Sequence, residues 1–331
     1  MTESPETDSS VGSAQDATAP ELPMTVSRRG LPSQVRIYEV GARDGLQNEK
    51  SVIDVDTKVE FIERLIAAGL PIVEATSFVH PKWVPQLADA AEVVSRLPLG
   101  GPIPLPVLVP NERGLDRALE AGCSDIAIFA SATETFASKN LNTSYSGQFA
   151  SFAPVVERAV AAGVRVRGYL SMCFGDPWEG PVAIDKVVEA GVRLLDMGIG
   201  ELSLGDTIGV GTAGHVHELI GRFGDAGVRT EQLAMHFHDT YGQALANTLA
   251  ALQTGITTFD ASAGGLGGCP YAKSATGNLA TEDLVWMLNG LGIEHGVDLD
   301  ALVTTSAWMA TKLGRSSPSA VVRALSGASQ N

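Results

Sequence analysis

The sequence predicts an α/β fold, a (β/α)8 TIM barrel with additional C-terminal helices. Three observations predict it. Short β-branched runs recur eight times, longer segments between them carry apolar residues at three- and four-residue spacing, and glycines close many of those segments. Strands are expected near 35–41, 71–78, 103–109, 125–131, 165–172, 201–207, 233–239 and 257–263. Helical segments such as 57–68 and 182–197 lie between them, and Gly69, Gly122, Gly163, Gly191 and Gly227 read as helix C-caps. Eight is the number that closes a parallel barrel. An open doubly wound sheet is the alternative, because the same local pattern serves both. The chain after Thr281 reads as helical. The expected division is a disordered acidic tail over 1–33, a barrel over 34–315 and a helical tail over 316–331.

Composition narrows the function classes. Hydrophobic residues make up 44% and aromatics 6%, with 36 glycines, which suits an aliphatic core between many tight turns. A formal net charge of -15 repels phosphate backbones and argues against nucleic-acid binding. No apolar run approaches the roughly 18 residues of a spanning helix. The three cysteines, Cys123, Cys173 and Cys269, have no CxxC spacing, so neither a disulfide framework nor a thiolate zinc site is indicated. The first 30 residues resemble neither a secretory signal nor an Arg-rich leader, and the chain ends Ser-Gln-Asn rather than Ser-Lys-Leu. A cytoplasmic setting is expected, and the helical C-terminus suggests a homodimer.

In a parallel barrel, function gathers where strands end. Leu233, Met235 and Phe237 share one face of the seventh predicted strand, and period-two alternation places His236 and His238 together on the other. His215 and His217 sit in a predicted helix, where i and i+2 diverge. Other strand ends supply oxygen: Asp44 after the first, Glu74 in the second, Asp206 closing the sixth and Asn278 after the eighth. Two histidines, an aspartate and an amide oxygen suit an octahedral divalent ion such as Mg2+ or Mn2+. Arg43 beside Asp44 points to an anionic substrate or a developing oxyanion, the alternative being an ion pair with Glu74 or Glu39.

Two glycine-rich stretches need weighing. Gly209-Val210-Gly211-Thr212-Ala213-Gly214 matches GxGxxG, but the next strand ends in histidines rather than in an acid for a ribose. A tight turn whose amides assist anion binding is the better reading. Gly264-Gly265-Leu266-Gly267-Gly268-Cys269-Pro270-Tyr271 is no P-loop and reads as a mobile flap. Cys269 there is either a general acid or base, or a small loop residue.

On these residues the chain resembles the hydroxymethylglutaryl-CoA lyase family, within a wider group of metallolyases and synthases with an Arg-Asp-Gly first-strand motif. The shared stretches include Val40-Gly41-Ala42-Arg43-Asp44-Gly45-Leu46-Gln47-Asn48-Glu49, Ser203-Leu204-Gly205-Asp206-Thr207-Ile208-Gly209 and Gly277-Asn278-Leu279-Ala280-Thr281-Glu282. Gly268-Cys269-Pro270-Tyr271-Ala272 points to the lyase branch. Ala42 departs from an expected proline, and Phe237 and Cys173-Phe174-Gly175-Asp176 also depart. The resemblance implies Asp44, His236, His238 and Asn278 as metal ligands, supported by Glu282. It also implies Arg43, Glu74, Asp206, His236 and Cys269 as the catalytic set, and cleavage of an acyl-CoA, 3-hydroxy-3-methylglutaryl-CoA, to acetyl-CoA and acetoacetate. The base is either Asp206 or a metal-shell histidine. Lys50, Lys82, Lys139, Arg167 and Lys273 are candidates for CoA contacts. A longer-chain acyl-CoA lyase, a 4-hydroxy-2-oxo acid aldolase and a Claisen-type synthase are the alternatives, with a non-catalytic binding barrel behind them.

Overall fold

The computed structural model describes residues 22–268 and 277–328. Nine parallel strands appear in chain order: β1 (Arg36–Glu39), β2 (Ile72–Val73), β3 (Thr76–Ser77), β4 (Val107–Leu108), β5 (Asp125–Ser131), β6 (Arg165–Ser171), β7 (Glu201–Asp206), β8 (Leu233–Phe237) and β9 (Thr258–Ala261). They pair in the order β2-β1-β9-β8-β7-β6-β5-β4-β3. The two ends of that order are halves of one predicted strand, interrupted at Glu74 and Ala75. The Glu74 amide donates to Glu39 O at 2.8 Å on one side, and the Ala75 amide donates to Pro106 O at 2.9 Å on the other. The sheet therefore closes, and the open-sheet alternative falls.

Alternation along each strand builds two interiors. Leu202, Leu204, Met235, Phe237 and Phe259 face outward into the large apolar layer between sheet and helices. Tyr38, Val40, Leu108, Ala127 and Tyr169 form a smaller cluster that reads as lumen filling, since register pairs Gly168 with Leu202 and Tyr169 with the inward-facing Ser203. Helix Val55–Ala67 shows why the connections are helical. Asp54 caps it by accepting from the Thr57 amide at 2.8 Å, and Val59, Phe61, Ile62 and Leu65 are buried along it.

Gly69, Gly122, Gly163 and Gly227 end helices in the left-handed region, as expected. Gly191 does not. It lies inside helix Ile184–Asp196, where a Cβ would stand 2.6 Å from the Phe223 ring, so it is there for close packing. Gly198, at φ 102°, takes the terminating role. Gly69 and Gly163 offer a comparison: a Cβ on Gly69 (φ 87°) would lie 2.3 Å from Gly296 O, whereas Gly163 (φ 74°) has open space around it. Gly163→Ala should cost about 1–2 kcal/mol, the left-handed penalty alone. Gly69→Ala should exceed it by a further ~1–3 kcal/mol from overlap. Urea unfolding of both variants checks this, and equal losses would show that the 69–296 contact relaxes freely.

After the barrel come helices Thr281–Leu291, Leu299–Leu313 and Ala320–Ala328. Asp283 accepts from the Ser319 hydroxyl at 2.7 Å and the Val321 amide at 2.9 Å, and the Ser317 hydroxyl donates to Gly264 O at 2.8 Å. The segment assigned to a C-terminal tail is thus bonded to the end of the barrel that carries Gly264. Residues 22–33, assigned to the N-terminal tail, include Val26, whose amide donates to Gly290 O at 2.8 Å. No helix among the described residues is long and apolar enough to cross a membrane.

Candidate metal centre and active site

The site begins where β1 ends. Residues Gly41–Gly45 form one π-helical turn, with Arg43 and Gly45 amides both donating to Val40 O. That turn brings Arg43 and Asp44 side by side over the barrel mouth. β8 delivers His236 and His238 on its inward face, their ring centroids 5.3 Å apart, while Met235 and Phe237 point into the outer core. His215 and His217 diverge as predicted: His215 packs edge-on against Phe174 at 4.8 Å, and His217 is exposed.

One ligand atom each from Asp44, His236 and His238 lies within 4.8 Å of the others. Asn278 joins them by donating from Nδ2 to Asp44 Oδ2 at 2.8 Å and to Leu266 O at 3.1 Å. Its Oδ1 is buried without a partner, as is His238 Nδ1. Unpaired buried polar atoms of this kind are costly unless something completes them. Burial, reinforced by His236, pushes His238 down to about 3, so it is a neutral imidazole, the form a metal needs. Burial alone would raise Asp44, but Arg43 and the histidines hold it below the ordinary carboxylate range. The donor set fits a divalent cation.

Arg43 is itself buried. Nη1 donates to Asp44 Oδ1 at 2.6 Å, Nη2 donates to Glu74 Oε2 at 3.0 Å, and the guanidinium lies 5.3 Å from the Tyr169 ring centre. Tyr169 Oη donates to the same Glu74 oxygen at 2.7 Å. Glu74 thus orients Arg43, and the ion pair considered from sequence exists alongside a face open to the pocket. Glu39 takes no part in it. Its carboxylate accepts from the amides of Gly41 at 2.7 Å and Ala263 at 2.9 Å and from the Thr281 hydroxyl at 2.6 Å, and burial raises it to about 7.

Arg43, Asp44, His236 and His238 line one cavity of about 350 Å³, with Tyr169 and Phe129 among its other lining residues. The exposed Lys139 and Trp83 also line it, so of the expected CoA contacts Lys139 belongs to this pocket. Lys50 is exposed outside that lining, and Lys82 lines a separate depression with Arg113 and Arg117. Arg167 is a correction: it is 6% exposed, in the lumen, stacked 3.9 Å from the Tyr38 ring centre and paired with Glu201 and Asp260. It has no surface to offer CoA.

Asp206 is held by its own loop and acts on the site through the field of His236. Register pairs Gly205 with His236 and Asp206 with Phe237, so Gly205 faces the pocket. Its two oxygens accept from the Val210 and Gly211 amides, both at 2.9 Å. The GxGxxG loop therefore wraps its own aspartate rather than an external anion. Burial raises Asp206 to about 6 against the lowering by those amides. Glu282 lies deeper than its expected supporting role implies. Both its oxygens accept from the Gly264 amide, at 3.0 and 2.8 Å, and it also bonds the Ser306 hydroxyl. It anchors the root of the glycine loop, and burial raises it to about 8. Cys269 and Lys273 lie outside the described residues, although Gly268, the last described residue before Cys269, lines the cavity. Asp260, Ser203 and Tyr169 were missed from sequence, and their signal was the inward alternation of polar residues on β6, β7 and β9.

A parallel barrel with imidazole and carboxylate donors at its strand ends, beside a buried arginine, defines a class: barrel enzymes with a metal-binding centre at the carboxyl face. Within that class the chain belongs to the HMGL-like family, whose sequence model matches residues 34–309. It is 50% identical over 300 residues to the mitochondrial hydroxymethylglutaryl-CoA lyase of Mus musculus, covering 91% of this chain and 92% of that one. The solved hydroxymethylglutaryl-CoA lyase of Pseudomonas aeruginosa is 49% identical with a TM-score of 0.88, covering 90% of this chain and 99% of that one. An HMG-CoA lyase of Acinetobacter baumannii, solved with coenzyme A and 3-methylmalate, is 35% identical with a TM-score of 0.84, covering 90% and 97%.

Proposed function

We propose that the protein is a carbon-carbon lyase that cleaves 3-hydroxy-3-methylglutaryl-CoA to acetyl-CoA and acetoacetate with Mg2+ or Mn2+ bound. The observation that carries this reading is the meeting of Asp44, His236 and His238 with Arg43 in one cavity, in a chain half identical to a lyase of that name. The relatives' names favour the lyase over the synthase and aldolase alternatives. Asp44, His236, His238 and the free Oδ1 of Asn278 would hold the cation. When bound there, it supplies Lewis acidity toward substrate oxygens.

In the reaction a base, Asp206 or a metal-shell histidine, takes the proton of the 3-hydroxyl, and C3–O becomes the ketone of acetoacetate. The C2–C3 electron pair passes to C2, giving the acetyl-CoA enolate, which then takes a proton at C2. Arg43 stabilises the negative charge on the thioester oxygen, a role supported by the way Glu74 and Tyr169 hold its planar fork before any charge appears. Asp206, raised by burial to about 6, has the acidity of a general base near neutral pH, and its bonds to the Val210 and Gly211 amides hold it at the barrel mouth. Cys269, following a cavity-lining glycine, is the proton donor to C2.

Purified protein with 3-hydroxy-3-methylglutaryl-CoA and Mg2+ should release acetoacetate in a coupled assay, and chelation should stop it. No acetoacetate with metal present would sink the assignment, and full turnover after exhaustive chelation would sink the metal.

A further inference from the structure

The barrel lumen holds a charged group that the reaction does not touch. Asp260, on β9, is fully buried. Arg167 donates to both of its oxygens, from Nη2 to Oδ1 at 2.6 Å and from Nη1 to Oδ2 at 3.2 Å. The Ser203 hydroxyl adds a bond to Oδ2 at 2.7 Å. A carboxylate facing a guanidinium fork in this way is an acceptor only. The third side chain on it is His236, whose Nδ1 lies 3.2 Å from Oδ2. Nδ1 must therefore carry a hydrogen, since two lone pairs would otherwise face each other. A neutral imidazole with its proton on Nδ1 has its lone pair on Nε2.

We propose that Asp260 is a positioning residue that fixes the tautomer and orientation of the His236 ring, presenting Nε2 to the cation. The inference rests on the cation reading of the site. The rest of the lumen supports the arrangement. Arg167 is clamped between the rings of Tyr38 and Tyr169, at 3.9 and 4.8 Å from their centres, and its Nε donates to Glu201 at 2.7 Å. Arg167 is thereby held against Asp260, and Asp260 against His236. A lumen ion pair serving stability alone has no need to meet the ring nitrogen. Outer partners of this kind typically alter metal affinity by about 10- to 100-fold when removed.

Two measurements test this. In metal-free wild-type protein labelled with 15N-histidine, two-bond N–H correlation spectra should show His236 protonated at Nδ1, the signal being assigned by its loss in His236→Gln. A wild-type ring protonated at Nε2 overturns the proposal whatever any variant does. In Asp260→Asn the amide can donate toward Nδ1, so the proton should move to Nε2. The Mn2+ dissociation constant by calorimetry should then rise at least about tenfold, with the circular dichroism spectrum retained. A folded Asp260→Asn protein that binds Mn2+ like wild type overturns the role. Wild-type protein that binds no Mn2+ overturns the cation site itself, which is a separate failure. Should Asp260→Asn not fold, the wild-type tautomer decides.

Discussion

Arg43→Gln is expected to lower kcat by at least about a hundredfold while KM and bound metal change little. Removing one preorganised donor to a developing oxyanion typically costs roughly 10²- to 10³-fold. The guanidinium here is buried, held by Glu74 at 3.0 Å and placed over Tyr169, so its orientation is settled before charge develops. An interaction made mainly in the transition state is lost from kcat rather than from binding. The same geometry brings a complication. Glu74 is fully buried, and Arg43→Gln strips its charge partner, leaving only the Tyr169 hydroxyl on Oε2. Breaking a buried pair from one side costs about 3–5 kcal/mol. The double variant Arg43→Gln/Glu74→Gln removes the stranded charge and should recover much of that stability without recovering kcat. If kcat returned with stability, Arg43 would be a structural ion pair and its enolate role would fall. Arg43→Lys should stay well below wild type, because an ammonium lacks the fork that meets Asp44 and Glu74 together.

The eight barrel strands were legible because each is a local pattern, and β5 matches its expected range residue for residue. His236 and His238 were legible for the same reason: strand alternation is a local rule, and Leu233, Met235 and Phe237 mark the opposite face. What escaped depends on pairings that no local pattern carries. Arg167 read as a surface cation in an acidic protein, yet its counter-charges stand 34 and 93 residues away on β7 and β9. Two residues from Tyr169 on β6, it shares the lumen face, a clue that alternation held and charge obscured. Asp206 stands at a strand end, where function gathers, but its bonds to the Val210 and Gly211 amides belong to the following loop. Gly191 looked like a terminator because a glycine near a helix end usually is one. The neighbour that demands it, Phe223, belongs to the next βα unit.

His238→Ala should abolish measurable turnover and weaken Mn2+ binding by more than about a hundredfold, beyond the ~10- to 100-fold that loss of an outer partner brings. The cluster has three groups with ligand atoms within 4.8 Å, plus one amide oxygen, so removing an imidazole takes away a quarter of the protein's donors. His238 is the less replaceable of the two rings. It is buried, its Nδ1 has no protein partner, and burial keeps it neutral down to about pH 3. His215→Ala is the control, since that half-buried imidazole packs on Phe174 away from the cluster and should leave Mn2+ binding unchanged. Calorimetric titration of both variants with Mn2+ and with Mg2+ separates the outcomes. The cation assignment survives only if the two histidines behave differently. Equal, undiminished binding in both would place the metal elsewhere and leave the orphaned Nδ1 and Asn278 Oδ1 to be explained by ordered water. Asp44 gives an independent check: Asp44→Asn keeps an oxygen at the same position but loses its charge, so the metal should weaken while the bond with Asn278 can still form. A protein that binds Mn2+ normally without the Asp44 charge would mean that the histidines, and not the carboxylate, dominate the site.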